Sequence, residues 1–203
     1  DIIYGRVAGV AQGSVWQTEV DDRSGVAQLS IPQPGQAFSY PLSTVNLVTL
    51  GTGQVQSAPM LVRYPDTAYR AHGNYGVQYN LTLPLVNKTS ELQTVSVAIQ
   101  TPLKQEPRVA GLIFREPPDQ QVFFRGTVQI RYNDDQGFPR SRSVHLVQRR
   151  GQQGEPLVIL NMPPGDRRLV TVELIYPPDA TPPQVLTVKT KMRSPESGDY
   201  SGN

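Results

Sequence analysis

The chain contains no cysteine, which excludes disulfides, thiolate metal sites and cysteine nucleophiles together. Histidine is almost as scarce, with His72 and His145 alone, so a serine nucleophile would have at most these two imidazoles to serve as its base. No run approaches the roughly 18 apolar residues of a membrane-spanning helix, and no charged, apolar, small-residue leader opens the chain. An excess of one charge is missing too: 19 Lys and Arg stand against 17 Asp and Glu, for a net charge of +2. That balance argues against a nucleic-acid surface. Aromatic residues make up only 7% of the chain, and in the best strand patterns they alternate with polar residues toward one face instead of forming a stacking platform.

What the chain does have is proline and glycine, 19 and 17 in 203 residues. Together they account for much of the low apolar content of 37% and indicate a loop-rich β protein. Disorder would need low hydrophobicity together with high net charge; here the charge is small and the apolar residues fall in patterned runs. From Tyr75 the odd positions read Tyr75, Val77, Tyr79, Leu81, Leu83 and Leu85 while the even ones are Gly76, Gln78, Asn80, Thr82 and Pro84. Period two marks a strand with one buried face. Pro84 lacks a ladder donor, so this strand lies at a sheet edge or turns the proline nitrogen away from any partner. The polar stretch Asn87 to Ser90 precedes a second alternation at Val95, Val97 and Ile99, and the two segments read as a hairpin.

A clearer pair follows. Phe124, Gly126, Val128, Ile130 and Tyr132 alternate with Arg125, Thr127, Gln129 and Arg131, and the Asn133 to Gly137 turn returns the chain through Ser143 to Val147. Further strands are expected over 157–160, 169–176 and 185–188, with Val170, Val172, Leu174 and Tyr176 facing inward. About seven short strands within roughly 115 residues predict an antiparallel, immunoglobulin-like β-sandwich over 71–192. Residues 1–70 are read as a β-rich N-terminal segment packed on or part of that sandwich, with strands over 2–10, 14–20, 26–31, 38–42 and 54–64 and a boundary near 65–73. Residues 193–203 have no apolar anchor and are read as a flexible tail. The strand-like opening at Asp1 suggests a fragment or a processed product.

Few residues suggest chemistry. His145 sits within a strand and is read as a polar cross-strand position. His72 lies in a polar, aromatic connection six residues after Asp66, yet no nucleophile-elbow motif supplies a serine. Asp21 with Asp22, and Asn133 with Asp134 and Asp135, could offer oxygen ligands but match ordinary turn chemistry, and a calcium loop with its closing glutamate is absent. Gly51-Thr52-Gly53 lacks the lysine of phosphate-cradling motifs. No metal or cofactor is expected. Asn80-Leu81-Thr82 and Asn87-Lys88-Thr89 match the glycosylation pattern, which means nothing by itself. Arg125, Arg131, Arg140, Arg142, Arg149 and Arg150 face only two aspartates, a local charge of +4 between 125 and 150. A sheet face bearing their guanidinium forks could hold carboxylate, sulfate or phosphate groups.

Several longer stretches resemble one family. They are Tyr4 to Ser14, Ile31 to Tyr40, Gly51 to Tyr79, Phe123 to Thr127 and His145 to Gly151. Together they are similar to the cyanobacterial domain of unknown function 3370, over nearly the whole chain to about Val188. The resemblance implies the C-terminal part of an exported protein, of cyanobacterial origin and periplasmic or extracellular location. It implies no activity and no catalytic residue. The reading is therefore a non-enzymatic envelope or secreted protein that engages protein subunits or surface polysaccharide. Self-association would use the terminal strand over 2–10. An acidic-glycan module would use the arginines with Trp16, Tyr69, His72 and Tyr75, and a hydrolase would use Asp66, His72 or scattered carboxylates.

Overall fold

A computed structural model describes residues 14–23, 25–43, 56, 76–104 and 111–192. Among them the chain is all β, in two sheets packed face to face, the sandwich that the alternation predicts. The strands are β1 (Ser14–Glu19), β2 (Leu29–Ser30), β3 (Ala37–Leu42), β4 (Val77–Val86), β5 (Gln93–Gln100), β6 (Val122–Asn133), β7 (Pro139–Arg149), β8 (Val158–Met162), β9 (Arg167–Ile175) and β10 (Gln184–Thr190). The six-stranded sheet runs β1-β4-β9-β6-β7, with β2 also beside β4, and the four-stranded sheet runs β3-β10-β5-β8. Thus the described N-terminal strands enter both sheets. The candidate strands over 2–10 and 54–64, the boundary near 65–73, Tyr75 and the tail lie outside the described residues, Gln56 excepted.

The core forms where the two inward faces meet. Tyr79, Leu81, Leu83 and Leu85 of β4, Val170, Val172 and Leu174 of β9, and Phe124, Val128 and Ile130 of β6 pack against residues from the other sheet, among them Val95, Val97, Ile99, Leu160, Met162, Leu186 and Val188. Tyr79 and Tyr176 meet edge to face at 6.3 Å between centroids, and the Tyr176 hydroxyl donates to Gln184 Oε1. Buried hydroxyls need such partners.

Two expectations are corrected. The segments around Tyr79 and Val97 are not a hairpin, because β4 belongs to one sheet and β5 to the other. Nor is β4 an edge strand: β9 pairs along one side and β1 and β2 along the other. The second reading of Pro84 is the one that holds. The carbonyls of Thr82 and Val86 accept from Val20 N and Ile31 N at 2.9 and 3.0 Å, so even-numbered β4 residues turn their backbone polar groups toward β1 and β2. Pro84 falls between Thr82, opposite Glu19, and Leu85, opposite Leu29, where the neighbouring chain has left the sheet. No ladder bond is lost there.

Both the β4–β5 and the β8–β9 connections cross between the sheets, and polar side chains tie them together. Asn87, fully buried, donates from Nδ2 to Glu91 O and Met162 O at 2.8 Å and to Pro163 O at 3.1 Å, and its Oδ1 accepts from Thr89 N and Thr89 Oγ1. Its own backbone bonds Asp166 O and Gly165 N. Beside it Arg168, whose side chain is 10% exposed, donates to Asp166 Oδ2 at 2.7 Å, to Asn133 O and Asp134 O at 3.0 Å, to Asn161 O at 3.3 Å and to Asp135 Oδ1 at 3.4 Å. One guanidinium thus joins the β6–β7 turn, β8 and the β8–β9 turn.

The clustered aspartates serve turns as well, Asp134 and Asp135 at the β6–β7 turn and Asp22 in the β1–β2 connection. Asp135 accepts from Asn161 N and Nδ2 at 3.1 and 2.9 Å. Asp134 accepts from Gln136 N, Phe138 N and Arg140 Nε, and Asp22 from Ser30 N and Oγ. Burial alone would raise the carboxyls of Asp134 and Asp22, yet these donors, with Arg140 beside Asp134 and Gln28 and Lys88 beside Asp22, outweigh it and hold both below the ordinary 3.8.

Two outcomes are expected from these contacts. Replacing Arg168 by Met removes a guanidinium only 10% exposed that bridges Asp166, Asp135 and three backbone carbonyls, so urea unfolding should register a loss of about 2 kcal/mol. Lys88→Met, which removes an exposed ion pair, should change stability by no more than about 0.5 kcal/mol. Because Asp134 and Asp22 have folded pKa values below their unfolded ones, their contribution is complete above the unfolded value and is lost as pH falls through the folded value. The urea midpoint should therefore hold steady above about pH 5 and drop below about pH 4, and Asp134→Asn should flatten that drop. An identical acid slope in the variant would contradict the assignment.

Candidate functional site

Strand register arranges the outer face of the six-stranded sheet. Alternation sends Val77, Tyr79 and Leu81 of β4 inward and leaves Gln78, Asn80 and Thr82 on the opposite side. The same parity operates on β9 and β6, so Thr171, Glu173, Gln129 and Arg131 join them. Cross-strand pairing then lines these residues up. One row runs Gln17, Asn80, Glu173, Gln129 and Ser143, and the next runs Glu19, Thr82, Thr171, Arg131 and Ser141. Each row crosses five strands, a width of about 19 Å at the usual strand spacing, and the rows lie about 7 Å apart.

Every side chain in both rows can donate or accept a hydrogen bond. Contacts within and beside them fix some of the geometry: Arg131 donates to Glu173 Oε1 at 2.5 Å and to Gln129 Oε1 at 2.9 Å, Gln129 Nε2 reaches Ser141 Oγ at 3.4 Å, and the neighbouring Gln78 Nε2 donates to Asn80 Oδ1 at 2.8 Å. Arg131 and Glu173 are 49% and 29% exposed, so their pair orients the guanidinium more than it stabilises the fold. At the hairpin end of the face a cleft of 360 Å³ opens beside Arg131, Asn133, Ser141, Leu169 and Thr171.

The six arginines singled out in the sequence do not gather on this face. Arg125 and Arg131 share it, six residues apart on β6, which is about 20 Å along the strand. Arg140 and Arg142 pair opposite Tyr132 and Ile130, on the parity that faces the other sheet; Arg140 binds Asp134 and Arg142 Nη1 donates to Leu157 O at 3.3 Å. Arg149 is exposed near the end of β7. Arg150 lies in the following turn, 3.6 Å from Asp119 and over the Phe123 ring. Turns and strand parity thus disperse a cluster that is contiguous only in sequence.

Trp16 pairs opposite Tyr79 and so faces the core side. Its ring packs against the core and its Nε1 donates to Tyr40 Oη at 3.3 Å. Burial raises the Tyr40 hydroxyl above its ordinary pKa, although bonds with Trp16, Gln56 and Thr18 oppose the shift. Tyr69 and His72, with Asp66, lie outside the described residues. His145 is exposed, its Nδ1 3.4 Å from Thr127 Oγ1, in the cross-strand position expected. Of the two glycosylation-pattern asparagines, Asn87 has its amide committed to the crossover, whereas Asn80 is partly exposed in the first polar row.

Apart from the glycosylation pattern at Asn80 and Thr82, the sequence marks Asn80, Thr82, Gln129, Thr171 and Glu173 only as the polar half of an alternation. The signal that could have raised them is their chemistry: on three strands the outward positions are mainly amide, hydroxyl and mixed-charge residues, where lysine would be equally soluble. Their alignment depends on pairing between strands distant in sequence, such as Gln129 with Glu173.

No curated protein and no solved structure matches the chain. The sequence model of the family described as Protein of unknown function (DUF3370) matches residues 1–190. The chain therefore belongs to the DUF3370 family.

Proposed function

We propose that this protein is a non-enzymatic binding module of the cell envelope or exterior, and that it holds a hydroxyl-rich polysaccharide on the outer face of its six-stranded sheet. The observation that carries this reading is the pair of cross-strand rows, from Gln17 to Ser143 and from Glu19 to Ser141. A sugar polymer presents donors and acceptors along its length and needs a broad surface offering both, which amide and hydroxyl side chains supply. Waters bridge what direct contacts miss.

Charge on the face favours a neutral polymer over an acidic one. Glu173 already accepts from Arg131, and Glu19 stands in the same row as Arg131. The location outside the cytoplasm rests on the resemblance of the sequence to an exported family. Assembly by strand pairing would use the segment over 2–10, which lies outside the described residues; of the described sheet edges, β7 carries Arg140, Arg142 and Arg149, which discourage a neighbouring strand there.

Affinity electrophoresis through gels containing neutral glucans, neutral mannans or uronic-acid polymers tests the reading. A neutral polymer should retard the protein, and Gln129→Ala and Asn80→Ala should each weaken that retardation about fivefold, the worth of about one hydrogen bond. Both substitutions lie on an exposed or partly exposed face and should alter stability by about 0.5 kcal/mol or less. Absence of retardation in every neutral polymer, or retardation unchanged in both variants, would overturn the proposal.

A further inference from the structure

The opposite face of the sandwich carries a second and chemically different feature. A groove of 550 Å³ lies between the outer side of the four-stranded sheet and the segment after Gly111, within the size range of small-ligand sites. Ser39 of β3, Thr187 and Lys189 of β10, and Gln100 of β5 form one side, and Leu112 and Phe114 form the other.

Hydrogen bonding along the polar side settles which atoms are spoken for. Thr187 Oγ1 donates to Gln100 Oε1 at 2.7 Å. Its single hydrogen being used, the 2.8 Å contact between Ser39 Oγ and Thr187 Oγ1 has Ser39 as donor. Gln100 lines the groove and its amide nitrogen, which is not among the buried atoms, makes no hydrogen bond with the described residues, so two donors are open to a ligand there. Lys189, exposed and without an ion pair among the described residues, adds a positive charge to the same lining.

We propose that this groove binds a small organic carboxylate with an apolar body. The carboxylate accepts from the Gln100 amide and the Lys189 ammonium, while the body lies against Phe114 and Leu112. An anion without an apolar part would leave that wall unused, and an uncharged ligand would leave Lys189 unpaired. The site is on the sheet opposite the polar rows, so neither proposal depends on the other.

Phenylbutyrate and its uncharged analogue phenylbutyramide are suitable probes, titrated into the whole chain while amide nitrogen–proton correlation spectra are recorded. Phenylbutyrate should produce saturable shifts confined to residues near Ser39, Gln100, Phe114 and Lys189. The amide should bind about fivefold more weakly or less tightly still, and Lys189→Gln, at an exposed position, should weaken phenylbutyrate about fivefold while leaving the spectrum otherwise intact. Gln100→Glu, which puts a carboxylate against the ligand's own, should weaken it further. Gln129→Ala should change nothing here. Equal binding of the two probes, shifts mapping elsewhere, no saturable shifts, or undiminished binding by Lys189→Gln would each overturn the proposal.

Discussion

The fold depends on what happens at Asn87. There the chain leaves β4 in one sheet to begin β5 in the other, and 163–166 make the return journey from β8 to β9. Two crossovers at one end bury backbone groups that no ladder can satisfy, and burial without partners is costly. Asn87 resolves this by bonding the opposite crossover through both its backbone and its side-chain amide. Arg168 extends the same solution to the β6–β7 turn.

This lock has consequences for the surface far from it. Val86 sits opposite Arg167, immediately beyond the Asn87 to Asp166 contact, so the crossovers start the β4–β9 ladder in a fixed register. A slip of one residue would turn Tyr79, Leu81 and Leu83 outward and bring Asn80 and Thr82 into the core. The polar rows are therefore a product of the same constraint that closes the core. The sandwich also offers its two outer faces unequally: one is an open, mixed polar sheet, and the other is partly covered by the segment carrying Leu112 and Phe114.

Much of this architecture was legible in the sequence because burial on one face imposes period two directly on neighbouring residues. Val77 to Leu85, Phe124 to Ile130 and Val170 to Tyr176 follow it closely, and all three point their apolar residues into the core. The β6–β7 hairpin was legible too, since the Asn133 to Gly137 turn is local. The pairing of Tyr79 with Val97 failed because a short polar connection serves equally for a hairpin and for a passage between sheets. The reading of Pro84 as an edge residue was undecidable locally: what matters is that β1 ends and β2 begins on either side of it.

The sites divide along the same line. While the family came from the likeness of longer stretches and not from periodicity, residue type and alternation by themselves determined that the chain is an all-β sandwich and which residues of the runs at Val77, Phe124 and Val170 face its core. They also established that Arg125 and Arg131 share a face, since parity within one strand is a covalent property of extended chain. Only the tertiary structure decided that Arg140 and Arg142 lie on the other side, that Asn80, Glu173 and Gln129 stand in one row, and that Gln100 meets Thr187 with its amide nitrogen unused. Those relations join strands separated by tens of residues, and their register is set by core packing and by the bonds at Asn87, neither of which leaves a periodic trace in the chain.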